Sequence, residues 1–191
     1  MKKKIAALLF LVMLLAVGCA SASSKATLKS KMATRTGPGT NYTELGTYFS
    51  KGHSVTALTK CYDSKNHVWW IEVEFQYRNK YRRAYTGHAR LSVSLGQLSE
   101  EKLLYTAALI SDTVPYYGPG EKYEAYQKTL GAGRTGKVYA EEDGWVQFEY
   151  KGSHNQSHRV WVPTEAVEAI RYPDESVAGE TSASGTTESI D

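Results

Sequence analysis

Two cysteines and five histidines are the residues of this 191-residue chain best suited to covalent or metal chemistry. Their surroundings decide what they can do. A cysteine nucleophile acts as a thiolate, which needs a nearby base and a setting, such as a helix N-terminus, that lowers the thiol pKa. Cys61 has His53 and His67 close by in sequence, but it ends the strand-like run that begins at Val55, and no helical pattern follows it. His154 and His158 are four apart, yet they lie in a polar loop before a strand and lack the helix and glutamate of a zinc peptidase. These residues predict a non-enzymatic protein with no cofactor and no metal, in which Cys61 is a small, half-buried strand residue.

Cys19 points to a different chemistry. Lys2, Lys3 and Lys4 precede an apolar run from Ile5 to Val17, which is too short to span a bilayer, so residues 1–18 read as a signal peptide and the protein as exported. Leu15-Ala16-Val17-Gly18-Cys19 resembles a lipobox, in which cleavage before the cysteine leaves it to carry a diacylglycerol anchor. An anchor with more than one chain is stable on the outer face of the membrane. Ala20-Ser21-Ala22 offers a second site, with cleavage after Ala22 and free secretion, and the sequence leaves both open. With Cys19 lipidated, Cys61 has no partner for an internal disulfide. Residues 19–26 are small and polar and read as a tether; residues 173–191 are rich in Ser, Thr, Gly and acid and read as a disordered tail.

The residues suited to binding are aromatic, and they accompany a turn that the chain uses twice. Arg35-Thr36-Gly37-Pro38-Gly39-Thr40-Asn41-Tyr42 is echoed by Tyr116-Tyr117-Gly118-Pro119-Gly120-Glu121-Lys122-Tyr123, at an offset of 81 residues that continues to Gly52 and Gly133. Proline fixes φ at the bend, and the flanking glycines take backbone angles that other residues resist. Each copy then runs into a strand led by tryptophan, Trp70 to Phe75 and Trp145 to Tyr150, now at an offset of 75. A repeat with one short deletion in a loop is the mark of a duplicated small domain. Period-two alternation puts Trp69, Ile71, Val73 and Phe75 on one face and Trp70, Glu72 and Glu74 on the other, and Val146, Phe148 and Tyr150 separate from Trp145, Gln147 and Glu149 in the same way. Each leading tryptophan therefore sits on a polar face, where it either packs under the Gly-Pro-Gly turn or faces a ligand.

This pattern resembles the bacterial SH3 (SH3b) family, whose repeats combine an Arg-Ser-Gly-Pro-Gly turn, a glycine before a Val-rich strand, an Asp-Gly-Trp strand and a closing Gly-Trp-Val strand. The resemblance covers residues 27–91 and 105–172, joined by residues 92–104. The departures are Tyr116 in place of the turn arginine, His88 in place of the closing tryptophan of the first copy, and Pro115 before the second turn. The resemblance implies an all-β fold of two tandem SH3-like small β-barrels that bind peptidoglycan or its peptide stems. It implies an aromatic groove near Tyr42 and Trp70, and another near Tyr117, Tyr123 and Trp145. The alternative is an adaptor that recruits an exported envelope protein.

Charge adds one more feature. Twelve basic and four acidic residues fall between positions 25 and 91, against eight and eleven between 92 and 172. Arg78, Lys80, Arg82 and Arg83 crowd a predicted hairpin and offer contacts to an anionic polymer or lipid headgroup, whereas nucleic acid is not expected for an exported protein. In the joint, Ser99 followed by Glu100-Glu101 predicts an N-capped helical turn. Nothing in the sequence fixes the oligomeric state.

Overall fold

The computed structural model describes residues 23–126 and 128–170, so the expected signal peptide, Cys19 and the acidic tail lie outside the described residues. The described chain is all-β, with short 3-10 turns and no α-helix. One sheet is built from β1 (Ser24–Thr27), β2 (Met32–Arg35), β3 (Glu44–Phe49), β4 (Ser54–Asp63), β5 (Val68–Tyr77) and β6 (Lys80–Gly87), in the order β1-β4-β5-β6-β2-β3. A two-residue strand, β7 (Ser99–Glu100), adds to it beside β4. The other sheet is built from β8 (Tyr105–Leu109), β9 (Thr135–Glu142), β10 (Trp145–Lys151), β11 (Ser157–Pro163) and β12 (Val167–Ala169), in the order β11-β10-β9-β8-β12. All strand pairs are antiparallel except β4–β7.

Each sheet wraps its own core, and the alternation read from sequence selects the residues in it. Ile71, Val73 and Phe75 of β5 pack with Val55, Ala57, Ala84, Leu91 and Leu98 in the first half. Val146, Phe148 and Tyr150 of β10 pack with Val138, Val160, Val162, Leu109 and Leu130 in the second. Burying each of the larger side chains contributes roughly 1.5–3 kcal/mol, so a core this small depends on every one of them. The β9–β10 hairpin turns through Asp143 and Gly144, both at positive φ (50° and 80°), the pairing that matches strand twist in a two-residue turn.

Three elements differ from the sequence reading. Ser24 to Thr27, at the end of the presumed tether, pairs with Ser54 to Ala57 because Ala26 fills the first core. In the joint, the 3-10 turn spans Leu95–Gln97 with a capping box at Ser94, while Ser99–Glu100 lies parallel to Thr59–Lys60 as β7. The counterpart of Trp161 is Tyr85 rather than His88: Arg35 pairs with Tyr85 as Tyr116 pairs with Trp161, and His88 opens a 3-10 turn beyond the strand. Alternation along β6 puts Tyr85 on the face that Trp161 occupies in β11, which a simple Gly-x-Ala match does not register.

The repeated turn has a packing reason for its first glycine. A Cβ on Gly37 would sit 2.1 Å from Cδ1 of Tyr42, and one on Gly118 would sit 2.2 Å from Cδ1 of Tyr123. In each copy the tyrosine ring lies flat against the glycine and locks the bend. Replacing Gly118 with Ala is expected to lower stability by roughly 1–3 kcal/mol through overpacking; denaturant unfolding monitored by tyrosine and tryptophan fluorescence measures it, and an unchanged midpoint would contradict this packing.

Candidate functional site

The two halves meet through equivalent surfaces, as the subunits of a symmetric dimer do. Tyr42 of the first turn reaches the second half and donates its hydroxyl proton to Glu149; Tyr123 of the second turn does the same to Glu74. Each carboxylate is also held by the arginine directly across from it on the next strand, Arg159 Nε to Glu149 at 2.6 Å and Arg83 Nε to Glu74 at 3.1 Å. The backbone repeats the exchange. Glu124 N–H donates to Tyr81 O at 3.0 Å and Thr43 N–H to Ser157 O at 3.4 Å, while Tyr81 N–H donates to Lys122 O and Ser157 N–H to Asn41 O at 3.2 and 3.1 Å. Each turn therefore extends the sheet of the opposite half.

At the centre of this contact the equivalent residues Glu72 and Gln147 hydrogen-bond to each other, Gln147 Nε2 donating to Glu72 Oε1 at 2.8 Å. Gln147 Nε2 also approaches the Tyr85 hydroxyl, which donates to Glu101 at 2.6 Å. Arg159 bonds Glu101 and lies 3.8 Å from the centroid of the Tyr139 ring. Glu101 is delivered by the joint: its N–H donates to Lys60 O at 2.9 Å, continuing the β7 pairing. Burial pushes Glu72 up to about 7, opposed by Arg83 and Arg159 and reinforced by Glu101 and Glu142. Burial also holds the phenols of Tyr42 and Tyr123 well above the ordinary range, so both remain hydrogen-bond donors.

The aromatic residues singled out from sequence separate into two groups. Tyr42 and Tyr123 are spent inside the contact between the halves, at 8% and 1% exposure. Tyr117 is half-buried, edge-on to Tyr126 at 5.3 Å and covered by the Arg82 guanidinium at 4.7 Å. Trp70 is half-buried across from Cys61. Trp145 borders an open cleft of about 510 Å³ with Tyr116, their rings 5.1 Å apart and near perpendicular, beside Val114, Pro163 and the carboxylates of Glu121, Asp143 and Glu165. Its counterpart in the first half is occupied differently, since Arg35 donates to Tyr42 O at 2.8 Å and pairs with Glu44 at 3.2 Å.

The four cations of the hairpin are also divided. Arg78 stands exposed at the tip. Lys80 donates to Glu121 O at 2.8 Å, Arg82 pairs with Glu124 between the rings of Tyr77 and Tyr117, and Arg83 makes a two-pronged pair with Glu142 at 2.8 and 2.9 Å. Three of the four thus bind the second half. The residues that sequence reasoning missed are Tyr85, Glu101 and Arg159. Tyr116 and Trp161 did carry a signal, the first as one of the tyrosines crowded at the second turn and the second as the tryptophan of the closing strand.

Cys61 lies in β4, and burial pushes its thiol up to about 11. His67 hydrogen-bonds Tyr62, and His53 stacks on Phe49 at 4.3 Å. His158 meets Tyr126 at 2.9 Å and stacks on Tyr150, and burial lowers its pKa. Among the described residues no three His, Cys, Asp or Glu side chains converge to hold a metal.

No protein-family model and no curated protein matches this chain. Among solved structures it is similar to "Structure of NlpC2 from Trichomonas vaginalis", at 12% identity and a TM-score of 0.31 over 78% of this chain. The match spans 48% of that protein, so this chain covers about half its length. It is also similar to two structures of CBDP35, the SeMet and native forms, at 12% and 13% identity with TM-scores of 0.20 and 0.19; each match covers 79% of this chain and 99% of the other. Likeness at this level carries no argument about fold or function.

The raised pKa of Glu72 has a consequence for stability. Its carboxyl lies near 7 in the folded chain against an ordinary 4.5, so between those values the folded state holds a proton that the unfolded state releases. This contribution is fully present below the unfolded value and is lost as pH rises through about 7. Glu72→Gln is expected to shrink the fall in melting temperature between about pH 5 and about pH 8 relative to the wild type. Thermal unfolding at the two pH values tests this, and identical profiles would refute it.

Proposed function

We propose that this is a non-catalytic, envelope-binding protein built from two SH3-like barrels of the bacterial SH3 type. In this reading it is exported, lipid-anchored through Cys19 on the outer face of the membrane, and takes a peptide stem of peptidoglycan in the Tyr116–Trp145 cleft. The observation that carries the reading is that cleft: two aromatic rings at right angles form an open concave wall, and three carboxylates stand at its rim. Rings of this kind accept the aliphatic carbons of an extended peptide, and the carboxylates suit its amino groups. The raised pKa of the Cys61 thiol, which keeps it protonated, supports a binding rather than a catalytic role. Because Arg35 caps its own turn in the first half, binding is weighted to the second.

The test is sedimentation with purified peptidoglycan at low salt. A fragment of residues 23–172 is expected in the pellet, Trp145→Ala to bind about tenfold more weakly, which is ~1.4 kcal/mol, and Trp70→Ala to bind as the wild type does. Wild-type fragment remaining in the supernatant overturns the reading. The anchor is tested by fractionation: Cys19→Ala is expected to move the protein from the membrane pellet to the soluble fraction and to abolish fatty-acid labelling, and continued labelling would exclude it.

A further inference from the structure

Between the halves lies a second cleft, of about 800 Å³, separate from the one at Trp145. Its lining includes six glutamates against Arg83, Lys102 and Lys122, so it is formally acidic. Negative charge alone specifies nothing, but two buried groups that line this cleft do. Glu72, 4% exposed, accepts from Gln147 at 2.8 Å and from Thr59 at 3.4 Å, and among the described residues it forms no ion pair. Gln147, 2% exposed, directs its amide nitrogen at Glu72 and Tyr85, and its Oε1 is buried with no donor among the described residues.

Turning the Gln147 amide over does not resolve this once Glu72 is ionised, because its oxygen would then face the carboxylate, acceptor against acceptor. A buried carboxylate with no cation within ion-pair reach, Arg83 and Arg159 acting on it only from farther off, and a buried carbonyl with no donor among the described residues are both costly. A single group answers both needs if it carries positive charge and several N–H bonds, and a primary ammonium has three donors and no acceptor. The cleft also supplies apolar surface for a carbon stem, from Leu58, Leu104 and Trp161.

We propose that the cleft between the halves binds a primary alkylammonium group, its nitrogen donating to the Glu72 carboxylate and to Gln147 Oε1 and its stem lying against Leu58, Leu104 and Trp161. A lysine-type side chain on a peptide or an alkyl amine meets this description. The site goes beyond the peptide-stem reading of the Tyr116–Trp145 cleft and does not depend on it.

The experiment is a titration of the full chain with n-butylammonium at constant ionic strength and about pH 8, where Glu72 is ionised, read by the NMR signals of the Gln147 side-chain amide. Those signals are expected to shift saturably in the wild type and to stay in place with tetramethylammonium, which has no N–H, or with potassium. Glu72→Gln, which keeps the shape, is expected to weaken binding by tenfold or more, in line with the strength of hydrogen bonds to charged groups; Trp145→Ala is expected to leave it unchanged. Unmoved wild-type signals, equal shifts with tetramethylammonium, or full affinity in Glu72→Gln would each overturn the proposal. The comparison of the two amines uses the wild type alone and stands whether or not the variant folds.

Discussion

The reciprocal exchange of two turn tyrosines holds this molecule together. Tyr42 and Tyr123 each leave their own half to donate to a glutamate of the other, and each of those glutamates is fixed by a cross-strand arginine. The tyrosine lies against the first glycine of its own turn, so the Gly-Pro-Gly bend is the rigid mount from which the contact is made. Because both halves use the same patch, the arrangement has the geometry of a homodimer contact carried out within one chain. The short joint keeps the partners at high effective concentration.

The contact is polar where most of its equivalents in protein interiors are apolar. Arg159 pairs with Glu101 and Glu149 at low exposure, and Arg83, itself largely buried, pairs with Glu74 and Glu142, whose carboxylates are partly open to solvent. Taking such charges out of water costs several kcal/mol per ion, and their attraction returns that only with good geometry. What the network supplies is register: a half displaced by one residue would bury unpaired charges. The two-fold pattern breaks at its centre, where Glu72 faces Gln147 and the joint inserts Glu101 beside Arg159. This asymmetry leaves the Gln147 amide oxygen buried with no donor among the described residues.

Much of the fold was legible in the sequence. The alternation around Ile71, Val73 and Phe75 and around Val146, Phe148 and Tyr150 identified the core strands, because a two-residue period has one meaning when every second side chain is apolar. The repeat of Gly37 to Tyr42 at Gly118 to Tyr123 marked two similar halves, while for Trp145 the sequence left open whether the ring packs under its turn or faces a ligand. The joint is ambiguous in sequence, since Ser-Glu-Glu has the same signature at a helix start as in a short added strand. Tyr85 was passed over because its match to Trp161 lies in strand register rather than in residue type.

The sequence by itself determined which residues turn, which alternate and which recur, since those properties depend on neighbours within a few positions. Only the tertiary structure decided the fate of the recurring groups. Tyr42 and Tyr123 went into the seam, Arg82 and Arg83 crossed it to pair with carboxylates of the second half, and Trp145 kept an open cleft with Tyr116. The reason is physical: a surface aromatic or an arginine looks the same in sequence whether it meets a ligand or another part of its own chain. The choice is made by partners about 40 to 110 residues away, such as Glu124 for Arg82 and Glu149 for Tyr42.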